Sequence, residues 1–533
     1  MIFADLILRN GKIISLDIQE SIFQAVAVKF GKIVAVGSNS DIDKYVGEET
    51  KIIDLLGKTV IPGLIDSHGH FINEGSSKEI YVDLSEEAGI HSISDIQRIL
   101  KKKAEQTPVG DWIFGYQEDD SKLEEKRHPN RIELDTISNE HPILITTVGG
   151  HFWMANSKAF SLSNITKDSP DPDGGKFDRD PESCELTGGL HEGAYFSLRS
   201  EGPPQPSRSQ SYSGAKQILN ECSSVGLTCI YDLVGRSEIR AAIDLKNNKE
   251  LPVRIRMDIT IELLEELDKI GIYRGLGDDW VRICGIKFFF DGAVSARTAA
   301  VSEPYLDKPG FYGVMSTTKK IATEILTKAY QKGFRISAHA NGDSAIKLYL
   351  DIIEELQKNY PREDARNRDI HCSVINEILV RRIKELKVLP TIFGAYPYYH
   401  GDKLIPSFGE DRLEHMFAAR SFLDAGVLVA AHSDHPCSPF PPLMAIHALV
   451  NRKTKAGKSI GKSQKISVIE ALKLYTINAA YHSFDENLLG SIEPNKLADF
   501  VVLEEDILTV SPDRIKDIPV FMTIIDGKSV YQK

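Results

Sequence analysis

This 533-residue sequence has no uninterrupted apolar run of about twenty residues, so no membrane-spanning helix is expected. It has no C-x-x-C pair. Its six cysteines (Cys184, Cys222, Cys229, Cys284, Cys372 and Cys437) stand apart, which excludes paired-thiol motifs and leaves reduced, mostly buried thiols. It lacks a long basic block, and 64 Lys and Arg against 76 Asp and Glu leave a net charge of -12, a balance that argues against nucleic acid as a partner. It also lacks a basic segment leading into an apolar one at its start, where Met1-Ile2-Phe3-Ala4-Asp5 turns polar, so no secretory leader is expected. A cytoplasmic protein is the expectation. Hydrophobic content of 42% and charged content of 26% are ordinary for a globular chain with a large core. The length suits one large domain with a companion, or a barrel with insertions.

Both ends of the chain read as short strands. Segments 5–8, 12–16, 25–29, 32–36, 51–54 and 59–61 are punctuated by the turn dipeptides Asn10-Gly11 and Phe30-Gly31; segments 500–503, 520–525 and 529–531 by Asp526-Gly527. Strands at both ends around a long middle predict one composite β-sandwich from residues 1–60 and 485–533. Between them, over 61–484, strands alternate with helices as in a parallel α/β architecture. Strands are expected at 227–233, 253–259, 281–290, 335–339, 369–373, 388–393 and 427–433, and helices at 318–332, 344–358, 375–387 and 412–425. The stretch 73–210 breaks the rhythm with turn-rich segments such as 168–175 and 202–206, and reads as an insertion with its own small structure.

An apolar run ends in His68-Gly69-His70, two imidazoles that a strand directs to one face. Such a pair is either packed or half of a transition-metal site. Lys287 lies inside the apolar stretch Ile286-Lys287-Phe288-Phe289-Phe290. It either pairs with Asp291 or a neighbouring strand's carboxylate, or loses its proton to desolvation and becomes able to react with CO2. His339 and His371 close strands 32 residues apart, about one β/α repeat, and Asp434 follows a further 63 residues on, about two repeats. Each candidate thus falls at the C-terminal end of a strand, the face where barrel active sites assemble.

The order His-x-His, Lys, His, His, Asp resembles the amidohydrolase superfamily. The residues that carry the likeness are Pro62-Gly63-Leu64-Ile65-Asp66-Ser67-His68-Gly69-His70, Gly149-Gly150-His151, Thr187-Gly188-Gly189-Leu190-His191-Glu192, Gly226-Leu227-Thr228, IKFFFDGAVSARTAA at 286–300, His339-Ala340-Asn341-Gly342-Asp343, Ser433-Asp434-His435-Pro436 and NKLADFVV at 495–502. In detail they look like the amidohydrolase family 3 branch, which includes N-substituted formamide deformylases. The resemblance implies an α/β fold, a (β/α)8 TIM barrel with an insertion after strand one and a β-sandwich from both termini. It implies a hydrolase of carbon–nitrogen bonds other than peptide bonds, acting on a small molecule such as an N-acyl or N-formyl amide. His68 and His70 would hold one divalent metal, His339 and His371 a second, and carboxylated Lys287 would bridge them. Asp434 would contact the first metal and act as general base toward a bridging hydroxide. Zinc suits imidazole and carboxylate best, although Fe, Mn, Co and Ni accept similar ligands. A homodimer is implied by analogy.

Substrate contacts are expected from His151, Arg297 and His432, each with a packing alternative: His151 against Trp153, Arg297 as a brace for its loop, His432 beneath a loop. The insertion is expected to cover the barrel mouth, and Asp291 to support the loop after Lys287. Two positions depart from the family pattern. Ile370 stands where a Glu usually precedes the strand-six histidine, and His432-Ser433 replaces Gly-Ser before Asp434. The rival readings are a mononuclear deaminase of an amidine-like or heterocyclic substrate, which the bridging lysine disfavours, and a non-catalytic regulatory barrel, which the intact ligand set disfavours.

Overall fold

The computed structural model describes residues 3–201 and 205–533. Eight parallel strands form the central sheet: β1 (Leu64–Gly69), β2 (Leu227–Val234), β3 (Arg254–Thr260), β4 (Val281–Phe289), β5 (Ile336–Ala340), β6 (Arg368–His371), β7 (Leu389–Phe393) and β8 (Ala430–His432). They pair in sequence order, and β8 returns to β1, where Ser67 Oγ donates to the Ala431 carbonyl at 2.6 Å and Asp434 N–H donates to the His68 carbonyl at 3.1 Å. The sheet therefore closes as the expected (β/α)8 barrel. Register sets Lys287 opposite Ser337 and His339 opposite Ile370, so the candidate side chains rise to one end.

Helices Lys319–Gln331, Asp343–Asn359 and Glu377–Glu385 occupy three of the expected helical segments. The helix expected over 412–425 is broken. One helix ends at Leu413 and the next spans only Ala419–Asp424. Between them Phe417 adopts φ 52° and its N–H donates to the Ser373 carbonyl at 3.1 Å, so a tertiary hydrogen bond draws the chain across to the β6 loop.

The apolar faces of the strands (Ile255, Ile286, Ile336, Ile392) pack outward on the helices in one continuous core. Branched aliphatics usually fill a barrel's interior. Here the lower layers are ionic: Asp258 bridges Arg335 and Arg368 at 2.9 Å each, and Arg256 pairs with Asp485 at 2.6 Å. Arg254 pairs with Asp499 at 2.7 Å, tying the barrel floor to the C-terminal segment.

Both termini build the outlying sheets. Phe500–Leu503 runs antiparallel to Thr59–Pro62 in a six-stranded sheet, and Leu6–Arg9 joins a four-stranded one. The hairpins close at Phe30-Gly31 (φ 51° and 72°) and Asp526-Gly527 (φ 49° and 70°), the left-handed pair that a two-residue hairpin requires. The segment between β1 and β2 is more regular than its turn-rich sequence suggests, with a six-stranded mixed sheet that includes Ile113–Glu118, Ile143–Thr147, Phe152–Ala155 and Leu186–Glu192. Of the loop expected at 202–206, residues 202–204 lie outside the described residues, as do Met1 and Ile2. Among the described residues no helix is long and apolar enough to cross a membrane.

Candidate metal centre

His68 sits near the end of β1 and His70 just beyond it, at the start of the helix Phe71–Lys78. The turn is held by the His70 N–H, which donates to the His435 carbonyl at 2.8 Å. Lys287, His339 and His371 come from β4, β5 and β6, and Asp434 follows β8 by two residues. His371 (φ 81°) and Asp434 (φ 56°) occupy left-handed backbone conformations that cost a non-glycine residue about 1–3 kcal/mol, and such strain collects at functional sites.

The six side chains converge. Lys287 Nζ lies 3.1 Å from His68 Nε2, and His371 Nε2 lies 3.1 Å from His339 Nδ1. Asp434 Oδ1 is 3.3 Å from His68 Nε2 and 3.4 Å from His70 Nε2, and Asp434 Oδ2 is 4.0 Å from His371 Nδ1. All but His70 are buried. Burial, then the adjacent Lys287, pushes the His68 imidazole well below its usual range. Burial likewise drives His339 and His371 down, so all three present neutral rings. Burial takes the Lys287 ammonium down to about 7 against its ordinary 10.5. Burial alone would raise the Asp434 carboxyl, but His371, His68 and His70 around it outweigh that and keep it ionised.

Neutral imidazoles, a near-neutral amine and one carboxylate make a metal donor set. The unmet hydrogen bonding agrees: His68 Nδ1 and His371 Nδ1 are buried without hydrogen-bond partners, while nitrogens face nitrogens at 3.1 Å. Among the described residues, His68, His371 and Asp434 bring ligand atoms within 4.8 Å of one another. The residues fit a divalent metal.

Carboxylates beneath the centre position it. Asp66 accepts the N–H groups of His68 (3.2 Å) and Ser433 (3.1 Å), clamping β1 to β8, and burial pushes its carboxyl up to about 7. Asp291 accepts the N–H groups of Asn341 and Gly342, just past the end of β5, and of Ala300 in the loop after Lys287, at 2.8–2.9 Å, so it ties that loop to β5 and makes no ion pair with Lys287. His339 Nε2 lies 3.2 Å from the Gly292 carbonyl, which makes it the protonated nitrogen and leaves Nδ1 to the centre.

A cavity of about 440 Å³ opens in front of these residues, lined by His70, His339, His371 and Asp434 on the barrel side and by Thr147, Gly149, His151 and Trp153 from the insertion. His151 Nδ1 is 2.8 Å from Glu192 Oε2, and its ring centroid is 4.9 Å from that of His339. It faces the cavity and does not stack on Trp153. Arg297 pairs with Asp307 at 2.7 Å and lines a separate cavity of about 220 Å³. His432 is fully buried among His68, His371 and Phe393, with ring centroids 5.6, 5.0 and 4.5 Å away, and neither ring nitrogen has a partner. Ile370 is buried on β6, with His339 on β5 and Thr391 on β7 as its register neighbours.

Sequence reasoning passed over Asp66, Glu192, Glu74 and Cys437. Asp66 and Glu192 stand inside the motifs quoted above, and Glu74 falls one helical turn after His70, spacings that could have marked them. Cys437 carried no local signal; its N–H donates to the Asp434 carbonyl at 2.7 Å.

A family model described as the amidohydrolase family matches residues 51–531. The chain is 27% identical over 551 residues to the N-substituted formamide deformylase of Arthrobacter pascens, covering 99% of this chain and 98% of that protein. It is 28% identical over 550 residues to Protein LONG AFTER FAR-RED 3 of Arabidopsis thaliana, covering 99% and 92%. A crystal structure of an uncharacterised metal-dependent hydrolase from Pyrococcus horikoshii OT3 superposes with a TM-score of 0.75 at 27% identity, over 95% of this chain and 99% of that one.

Proposed function

The chain belongs to the amidohydrolase family and is a metal-dependent hydrolase of carbon–nitrogen bonds, and from that premise we propose that it cleaves a non-peptide amide of the N-acyl or N-formyl class at a centre of two divalent metals. The observation that carries this reading is the convergence of three neutral imidazoles, His70 and ionised Asp434 around a lysine held near neutrality. His68 and His70 would hold one metal and His339 and His371 the other, with Asp434 beside the first. Neutral Lys287 attacks CO2 through its nitrogen lone pair, forming an N–C bond and releasing one proton, and the resulting carbamate would add a negative charge to the donor set that holds the divalent metals. Zinc suits this donor set best. When bound, divalent metals supply a polarised substrate carbonyl and a water acidic enough to attack near neutral pH.

The chain's own residues do the rest. Asp434 takes the proton of the attacking water and delivers it to the amide nitrogen as the C–N bond breaks. His151, aimed by Glu192, reaches the substrate from the insertion side. The name of the Arthrobacter pascens relative favours the N-formyl end of the range. Six unpaired cysteines accord with action in the cytoplasm.

The test is metal content by mass spectrometry on protein purified without chelators, beside Lys287→Ala, with a panel of formamides and acetamides assayed for amine release. About two metals per chain in the wild type, one or none in the variant, and amine released only by the wild type are the expected results. One metal, unchanged in the variant, would overturn the bridged centre in favour of a mononuclear deaminase.

A further inference from the structure

The cavity in front of the centre has a one-sided chemistry. Six aromatic side chains line it: Tyr81, Phe114, Tyr116, Trp153, Tyr195 and Phe289. They pair into slabs, with Trp153 stacked on Tyr195 at 4.6 Å between centroids and Tyr81 against Phe114 at 4.3 Å. Among the described side chains, no lysine or arginine lines the cavity, while two carboxylates outside the ligand set do, Glu74 and Glu238.

The two glutamates differ. Glu238 is spent on its own helix start, accepting from the Gly235 N–H and the Ser237 hydroxyl at 3.0 Å each. Glu74 is 4% exposed; among the described residues it accepts a single side-chain hydrogen bond, from Gln117 at 3.3 Å to Oε1, and none of them donates to Oε2. It has no ion-pair partner within 4.0 Å among the described residues; Lys78, one turn further along the helix, lines an adjoining cavity that Glu74 also borders, and acts on Glu74 only at longer range. A carboxylate can accept about four hydrogen bonds, and leaving a buried one so sparsely paired is costly unless a ligand completes it. Flat aromatic walls accept a planar apolar group, and their electron-rich faces favour a cation over an anion. A cavity of about 440 Å³ holds a small amide with one ring-sized arm.

We propose that Glu74 selects the substrate: the amide cleaved here carries, on the side away from the scissile bond, an aromatic arm ending in a protonated nitrogen that Glu74 Oε2 receives. This rests on the reading of the centre as an amide hydrolase and names its substrate class. Glu74 is a specificity-determining residue, on the helix that begins just after His70 and outside the ligand set. A carboxylate-bearing arm would meet Glu74 in a cavity whose lining, among the described side chains, includes no lysine or arginine to offset the repulsion.

The test uses the zinc-loaded full chain and three benzyl methanesulfonamides, which mimic the amide and resist hydrolysis. They differ only in the para group: aminomethyl, its neutral isostere ethyl, or carboxylate. Titration calorimetry should give the aminomethyl compound a Kd at least about tenfold below that of the ethyl compound, with the carboxylate weakest. In Glu74→Gln the aminomethyl preference should shrink to within about twofold. Equal binding of the aminomethyl and ethyl compounds by the wild type, or a preference that survives in Glu74→Gln, would overturn the proposal; the first comparison needs no variant to fold. The matching formamides, assayed for amine release, report on catalysis separately. Charge preference without turnover would count against amide hydrolysis while supporting the role of Glu74.

Discussion

Lys287 offers the sharpest test, because its chemistry starts from the metal-free chain. Its ammonium is buried on β4 without a carboxylate in ion-pair reach among the described residues, and burial takes it to about 7 from 10.5, against the opposing pull of Asp434 and Asp258. The sign follows directly. Only the neutral amine attacks CO2, and a lowered pKa makes that form dominant above pH 7. At about pH 8, roughly nine-tenths of Lys287 would be neutral against about 0.3% of an ordinary lysine, a gain of about three hundredfold. Below pH 7 the neutral fraction falls about tenfold per unit. The assay strips the metal, then adds zinc and isotopically labelled bicarbonate at constant dissolved CO2 across pH 5 to 10, following carbamate by carbon NMR and retained zinc per chain. The initial rate should climb about tenfold per pH unit to about pH 7 and level off by about pH 8. A rate that keeps climbing to pH 10, or reconstitution indifferent to bicarbonate, would refute the argument that desolvation prepares this lysine.

Three further outcomes follow from the geometry. Asp258→Asn leaves the guanidinium groups of Arg335 and Arg368 buried without their shared counter-charge and should destabilise the fold by about 3–5 kcal/mol, read from the urea midpoint; an unchanged midpoint would show that the triad does not stabilise the barrel. His151→Ala should lower kcat/KM about ten- to a hundredfold with zinc content unchanged, since the residue faces the cavity without joining the ligand set; unaltered kinetics would reduce it to packing. Arg297→Ala should change KM less than about threefold and stability by about 1 kcal/mol or less, because the Arg297–Asp307 pair is partly exposed and outside the main cavity; a tenfold rise in KM would restore it as a substrate contact.

What the sequence determined by itself lies in its local patterns. The dipeptides Phe30-Gly31 and Asp526-Gly527 close the hairpins expected of them because tight hairpins need left-handed residues at both positions. The spacing of His339, His371 and Asp434 by whole β/α repeats brought them to one end of the barrel, since parallel strands joined by right-handed crossovers present the same end repeatedly. Lys287 was legible as a charge inside an apolar strand. Tertiary structure alone decided which groups meet across long stretches of chain. A carboxylate has no periodicity that names its partner, so nothing local said that Asp291 would tie its loop to β5, that Asp66 would clamp β1 to β8, or that Glu192 would aim His151. Arg297 was drawn off to Asp307, and His432 sank beneath the centre because Phe393 and two ligand imidazoles enclose it. The barrel's ionic floor, in which one aspartate serves two arginines, one just before β5 and one on β6, exists only because closing the sheet buries all three together.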